Sequence, residues 1–297
     1  MKIHLRALSA RDARVGLCAA TATVLITASA AYAGQDANFI LYNHHMEEKG
    51  ATEVEIFSDY SHVGKGEPNY TAQLFEIEYG VTDLWTTAVY IEGSKAFEPG
   101  GSYDFASFRF ENRLRLFKDE TLFNPVLYAE YEQKWPESRF VRSVVGRTDS
   151  PGGPEEIEHE LETKLIVGHD ISSRLNIAFN TIQELKFDNG VWAFGYAAGL
   201  NYVFFRSFDG PEIELHETSS GGNWDLDKLT LGLEAFGGLG DSVRGLTVDP
   251  DKTEQYLGVN LQVAFKNEFH MGIGGAFGLT QDSQDAILRL TAGYEFE

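Results

Sequence analysis

Phe108-Arg109-Phe110-Glu111-Asn112-Arg113-Leu114-Arg115-Leu116 decides the fold. In an extended chain successive side chains point to opposite faces. Phe108, Phe110, Leu114 and Leu116 then share one face, and Arg109, Glu111, Arg113 and Arg115 share the other. Wound as a helix, the same residues would scatter charge around the whole circumference, so the period selects a strand. Twelve stretches repeat this alternation, at about 51–62, 70–80, 84–93, 104–116, 125–136, 156–168, 174–186, 191–204, 226–238, 254–266, 269–280 and 285–296. A soluble sandwich would bury the apolar faces against each other. The charged character of the other face favours the inverse arrangement, apolar side to lipid and ionised side to a wet lumen. The expected fold is all-β: a closed, antiparallel, up-and-down transmembrane barrel of about twelve strands.

Residues 1–33 read as a signal peptide. Lys2, Arg6, Arg11 and Arg14 precede an apolar run from Val15 to about Ala28, and Ala31-Tyr32-Ala33 supplies small residues for cleavage. That run is too short to span a bilayer as a helix. The sole cysteine, Cys18, falls inside the signal, so the remaining chain can form neither a disulfide nor a thiolate metal site. Removing the signal takes away four basic and one acidic residue, which moves the net charge from −21 to −24. Such a charge excludes nucleic acid as a partner. No apolar run of about 18 residues follows, which excludes a helical membrane protein.

Residues 34–50 are expected as an irregular periplasmic segment, too short for a plug domain, with the barrel occupying 51–297. Gly80-Val81-Thr82-Asp83, His169–Ser173 and Lys266-Asn267-Glu268 read as short periplasmic turns. Residues 137–155 and 239–253 read as longer external loops, and 205–225 as a periplasmic excursion in which Glu212–His216 could add a short strand. Trp85, Trp135, Trp192, Tyr202 and Phe296 fall near strand ends, where aromatic rings gather at membrane interfaces.

Parity assigns Arg109, Glu111, Arg113, Arg115, Glu130, Glu132, Lys134, Glu158, Glu160, Glu162 and Lys164 to the lumen. Glu53, Glu55, Asp59, Glu76, Glu78, Glu92, Glu184, Glu234 and Glu295 join them on the acidic side, and Lys186 and Arg289 on the basic side. Facing rows on neighbouring strands can form an interior ion-pair lattice. The excess of carboxylates favours cations over anions in a pore. His44, His45 and Glu47 are the metal candidates, but adjacent ligands in an extended segment point opposite ways, so partners must come from elsewhere. His159, beside Thr163, and His62, near Ser58 and Ser61, are the histidines placed for a rim lipid hydrolase. No phosphate loop, HExxH or paired CxxC occurs, and no cofactor is expected.

Leu74–Thr87, Leu231–Gly237 and Leu290-Thr291-Ala292-Gly293-Tyr294-Glu295-Phe296 carry a family resemblance. They resemble the transporter-like outer-membrane barrels that include the phenol-degradation MetA-pathway group. The resemblance implies an outer-membrane location and passive uptake of small organic molecules. The last of the three also resembles the aromatic-ended strand by which the barrel-assembly machinery recognises its clients, except that Glu297 follows the phenylalanine. The leading functional expectation is a passive channel for small cationic or neutral solutes, lying in outer-membrane lipid. The alternatives are a lipid-hydrolysing enzyme with a rim histidine and a structural or surface-interaction barrel.

Overall fold

The computed structural model describes residues 38–64, 66–139, 156–207, 224–247, 249 and 252–296. Twelve long strands form one antiparallel sheet: β1 (Thr52–His62), β2 (Tyr70–Thr82), β3 (Trp85–Ala96), β4 (Asp104–Arg115), β5 (Val126–Lys134), β6 (Glu158–Ser172), β7 (Leu175–Lys186), β8 (Trp192–Arg206), β9 (Leu226–Asp241), β11 (Gln255–Phe265), β12 (Phe269–Gly278) and β13 (Ala286–Phe296). The two-residue β10 (Gly245–Leu246) only folds back on the end of β9. Each long strand pairs with its neighbour in sequence, and β1 pairs with β13 from Thr52↔Phe296 to His62↔Ala286, which closes the barrel. Closure removes both sheet edges and satisfies the backbone within the wall, as a lipid-exposed sheet requires.

The sheet has the expected faces. Phe108, Phe110 and Leu114 are exposed on the outside, while Arg109, Glu111 and Arg113 are buried within. The outer face is apolar around the barrel, with Ile56, Ile91, Leu127, Leu165, Ile177, Leu233, Val259, Ile273 and Leu290 all exposed. Aromatic rings mark both rims. At the near rim, where β1 begins and β13 ends, lie Trp85, Tyr202, Phe204, Trp224, Tyr294 and Phe296. At the far rim lie Tyr60, Phe97, Phe105 and Trp192, with a half-buried Trp135 edge-on to Phe105 at 4.7 Å.

One expectation is corrected. The segment expected in the periplasm at 34–50 does not hang below the barrel; from Asn38 to Glu47 it lies inside it. Phe39, Ile40, Leu41, Tyr42 and His44 are each at most 1% exposed. Phe39–Leu41 pack with the inward-facing Ala178, Ile182, Ala193, Ala197, Phe236, Tyr256, Ala276 and Ile287. Lower down, Tyr42 and Met46 pack with Val126, Tyr128 and Ile166. The physical reason is lumen width. About eight strands are filled by their own side chains, whereas twelve leave space for another occupant. A single extended strand of peptide fits where a plug domain would not.

Residues 1–37, which include the expected signal peptide, the body of the 137–155 loop, most of 205–225 with Glu212–His216, and Glu297 lie outside the described residues.

Candidate functional site: a charged lumen and its internal segment

Hydrogen-bonded registry places seven glutamates in one row across eight strands: Glu295, Glu53, Glu78, then Ala88, then Glu111, Glu130, Glu162 and Glu184. All are buried in the lumen wall. Because barrel strands tilt, a row perpendicular to them climbs as it goes round. It starts at the near rim, with Glu53 one residue into β1, and ends two residues from the far end of β7.

Cations flank this row on both sides. On one side Arg109 lies 2.8 Å from Glu132, 3.6 Å from Glu92 and 3.7 Å from Glu130. Lys134 bridges Glu132, at 3.2 Å, and Glu160. Lys186 reaches Glu158 at 3.2 Å and Glu160 at 3.6 Å. On the other side Arg113 pairs with Glu78 and, at 3.1 Å, with Glu111. Lys164 lies 2.9 Å from Glu162. Arg115, nearer the rim, pairs with Glu120 at 2.7 Å. Charges this deep persist only when paired and hydrogen-bonded, so the rows support each other.

The internal segment is held by this wall. Glu234 of β9 accepts the backbone N–H groups of Phe39, Ile40 and Leu41, the last two at 3.1 Å, and the Asn260 amide at 3.2 Å. Asn180 accepts the Tyr42 N–H at 2.7 Å and donates to its carbonyl at 2.9 Å. Arg289 grips Asp59 with two bonds of 2.7 and 2.8 Å, donates to the Phe39 carbonyl at 2.9 Å and stacks over the Phe39 ring. Tyr42 donates to Glu111 and lies beneath the Lys164 ammonium, 4.5 Å from its ring centroid. An extended peptide has no internal partners for its N–H and C=O groups, so the wall must supply them.

The two histidines of the segment come together at the near rim. Asn43 Oδ1 accepts the His45 N–H at 2.6 Å, a local turn that brings both rings to one side with centroids 4.3 Å apart. His45 Nε2 is 3.1 Å from Asp170 Oδ2. His44 Nε2 is 3.4 Å from Glu120 Oε2 and 3.9 Å from Asp170 Oδ2. Burial and the adjacent His45 push the His44 pKa down to about 4, against the upward pull of Glu120 and Asp170. Glu47 does not join them and lies within electrostatic reach of Glu53 and Glu78 instead. A second cluster that sequence reading missed sits on the wall, where His270 Nε2 is 3.4 Å from both Glu53 Oε1 and Glu55 Oε1.

At the far rim, His159 hydrogen-bonds the Tyr131 hydroxyl at 2.7 Å, and His62 bonds Asn69 at 3.0 Å. Ser61 turns into the barrel to Gln284, and Ser58 is held by Gln73. Among the described residues neither histidine bonds a serine.

This is the architecture of an outer-membrane β-barrel, and comparison with solved structures gives the same fold. The chain is similar to the COG4313 outer membrane channel from Pseudomonas putida F1, with a TM-score of 0.50 and 12% identity over 85% of this chain and 98% of that one. A KdgM porin in complex with disordered oligogalacturonate gives a TM-score of 0.48 at 8% identity, over 82% and 99% of the two chains. LpxR from Salmonella typhimurium gives 0.43 at 12% identity, over 82% and 99%. No family model and no curated protein matches the sequence.

Proposed function

We propose that this chain is an outer-membrane channel for small cationic or neutral solutes, with Asn38–Glu47 as its internal stopper. One observation carries the reading: the part of the carboxylate-rich lumen that the wall's own side chains leave empty is filled by a tethered peptide. Every contact between segment and wall described above is a hydrogen bond, ion pair or van der Waals contact, all of which can open and re-form. Once the segment leaves, Glu234, Asn180, Asp59 and the glutamate row face water, and a lumen with that excess of acid favours cations. The apolar outer belt and its aromatic rims suit a bilayer. The aromatic-ended β13 suits delivery there by the barrel-assembly machinery.

Planar bilayer recording of the refolded full chain and of a variant lacking residues 38–47 tests this. The expected result is a larger unitary conductance for the deletion, with a reversal potential in asymmetric salt that indicates cation preference. Anion preference, or no conductance from either form in a demonstrably inserted barrel, overturns the reading.

A further inference from the structure

We propose that His44 and His45 of the internal segment, with Asp170 and Glu120 of the wall, form a binding site for a divalent transition ion of the zinc class. Two imidazoles and two carboxylates are a donor set for zinc and its neighbours, whereas calcium and magnesium prefer oxygen alone. The spacing fits. Around a tetrahedral ion with bonds of about 2.0–2.2 Å, neighbouring ligand atoms lie about 3.3–3.6 Å apart. Here His44, His45 and Asp170 offer ligand atoms all within 4.8 Å of one another, with His45 Nε2 3.1 Å and His44 Nε2 3.9 Å from Asp170 Oδ2, and Glu120 Oε2 stands 3.4 Å from His44 Nε2 as the outer fourth donor.

Three further observations point to a ligand. His44 is fully buried, yet neither of its ring nitrogens makes a hydrogen bond. A buried polar group without a hydrogen bond is costly unless something else completes it. The ring is seated rather than loose: it packs on the bare backbone of Gly168, where an added β-carbon would fall 2.5 Å from His44 Nδ1. The carboxylates are also aimed. Asn176 holds Asp170 Oδ1 at 2.7 Å, leaving Oδ2 toward the histidines. Arg115 holds Glu120 Oε1 at 2.7 Å while Oε2, which also accepts from Asn124 at 2.6 Å, faces His44. Such outer contacts orient metal ligands in known sites. The side chains of Asp170 and Glu120 are 43% and 56% exposed, so an ion can enter from solvent at the near rim.

An ion there joins the segment to two connections of the wall, the β4–β5 loop through Glu120 and the end of β6 through Asp170. The site stands on this geometry and does not depend on what the barrel conducts.

Zinc titration of the chelator-stripped full chain in detergent, followed by calorimetry, is the test, with the visible spectrum of the cobalt-loaded protein as a second readout. One equivalent per chain is expected, with a tetrahedral cobalt spectrum. His45→Ala with Asp170→Asn should abolish both, and Asn176→Ala should weaken binding by about 10–100-fold. His270→Ala, in the Glu53/Glu55 cluster, should leave binding unchanged. Strand circular dichroism and heat-modifiable gel mobility confirm that each variant remains a folded barrel. The proposal is overturned if the wild-type chain binds no zinc. Retention of affinity by the double variant, or its loss on His270→Ala, overturns it equally.

Discussion

Replacing Glu234 with alanine should release the internal segment while leaving the barrel closed. One carboxylate accepts three consecutive backbone N–H groups, those of Phe39, Ile40 and Leu41, and also the Asn260 amide. Its neighbours across the ladder are Gly199 on β8 and Gly258 on β11, so no other side chain on that row can take over the three donors. Each buried donor left without a partner costs about 1–3 kcal/mol. Water entering the vacated space recovers part of this, so the lower end of the range, about 3 kcal/mol in all, is the working figure. Ordering the ten residues Asn38–Glu47 costs about 1–2 kcal/mol each in backbone entropy. Burying Phe39, Ile40, Leu41, Tyr42 and Met46 returns about 1.5–3 kcal/mol apiece. The entropy cost exceeds the apolar return by about 2.5–5 kcal/mol, so the polar contacts decide whether the segment stays docked. At about 1.4 kcal/mol per decade, the ratio of docked to released forms should fall roughly 100-fold. Limited proteolysis in detergent, with the cut sites located by mass spectrometry, reads this directly: cleavage within 38–47 should accelerate while the strands stay protected. Glu158→Ala, which removes a carboxylate paired with Lys186 and remote from the segment, is the control and should change nothing. If Glu234→Ala leaves the segment as resistant as in the wild type, Glu234 is not what holds it.

Three other perturbations probe different parts of the same account. Arg113→Met leaves Glu78 and Glu111 buried without their shared cation and should destabilise the barrel by about 3–5 kcal/mol, measured by denaturant unfolding in lipid vesicles; an unchanged midpoint would contradict the ion-pair lattice. Phe110→Lys puts a charge on the outer face at mid-strand and should cost about 2–4 kcal/mol in the same assay. No loss there would mean that face does not meet hydrocarbon. Gly168→Ala forces a methyl group against His44 and should cost the docked segment about 1–3 kcal/mol, seen as faster cleavage at 38–47 with unchanged barrel melting.

Strand positions were legible because one face of every strand is constrained by lipid, and the observed bounds lie within four residues of those read from alternation. The direction of the faces was legible because Arg109, Glu111 and Arg113 could not share a dry sandwich core without far more partners. Polarity alone left part of the interior unassigned. Phe57, Tyr70, Leu74 and Ile182 also point inward, where the first three pack in an apolar cluster of β1–β3 and Ile182 belongs to the bed beneath Phe39–Leu41. The metal candidates were half legible. Two adjacent histidines in a fully extended chain diverge, and only the turn made by Asn43 sets them side by side; their partners lie 75 or more residues away, at Glu120 and Asp170.

The internal segment did leave a trace in the sequence, on the wall rather than in the segment. Inward positions of β4, β5 and β6 carry long side chains, Arg109, Arg113, Glu130, Glu132, Glu160 and Lys164. The inward positions from Ala193 to Gly199 on β8 and from Gly272 to Ala276 on β12 carry almost nothing: Ala193, Gly195, Ala197 and Gly199 on one, Gly272, Gly274 and Ala276 on the other. A cylinder lined by long chains on one side and bare backbone on the other has an off-centre void, and close packing does not tolerate a dry void of that width. The occupant lies close against these glycines: an added β-carbon at Gly274 would meet the wall's Asn260 first and then the Phe39 ring at 3.0 Å, and one at Gly199 would meet the Leu233 carbonyl first and then Leu41 at 3.0 Å. Phe39-Ile40-Leu41-Tyr42 is the matching half, four apolar residues in succession with no alternation. A strand with one wet face must alternate, so an unbroken apolar run in an otherwise polar leader signals burial on all sides. The bare side of the wall and the non-alternating run each need the other, and together they account for a segment that neither periodicity nor motif could place.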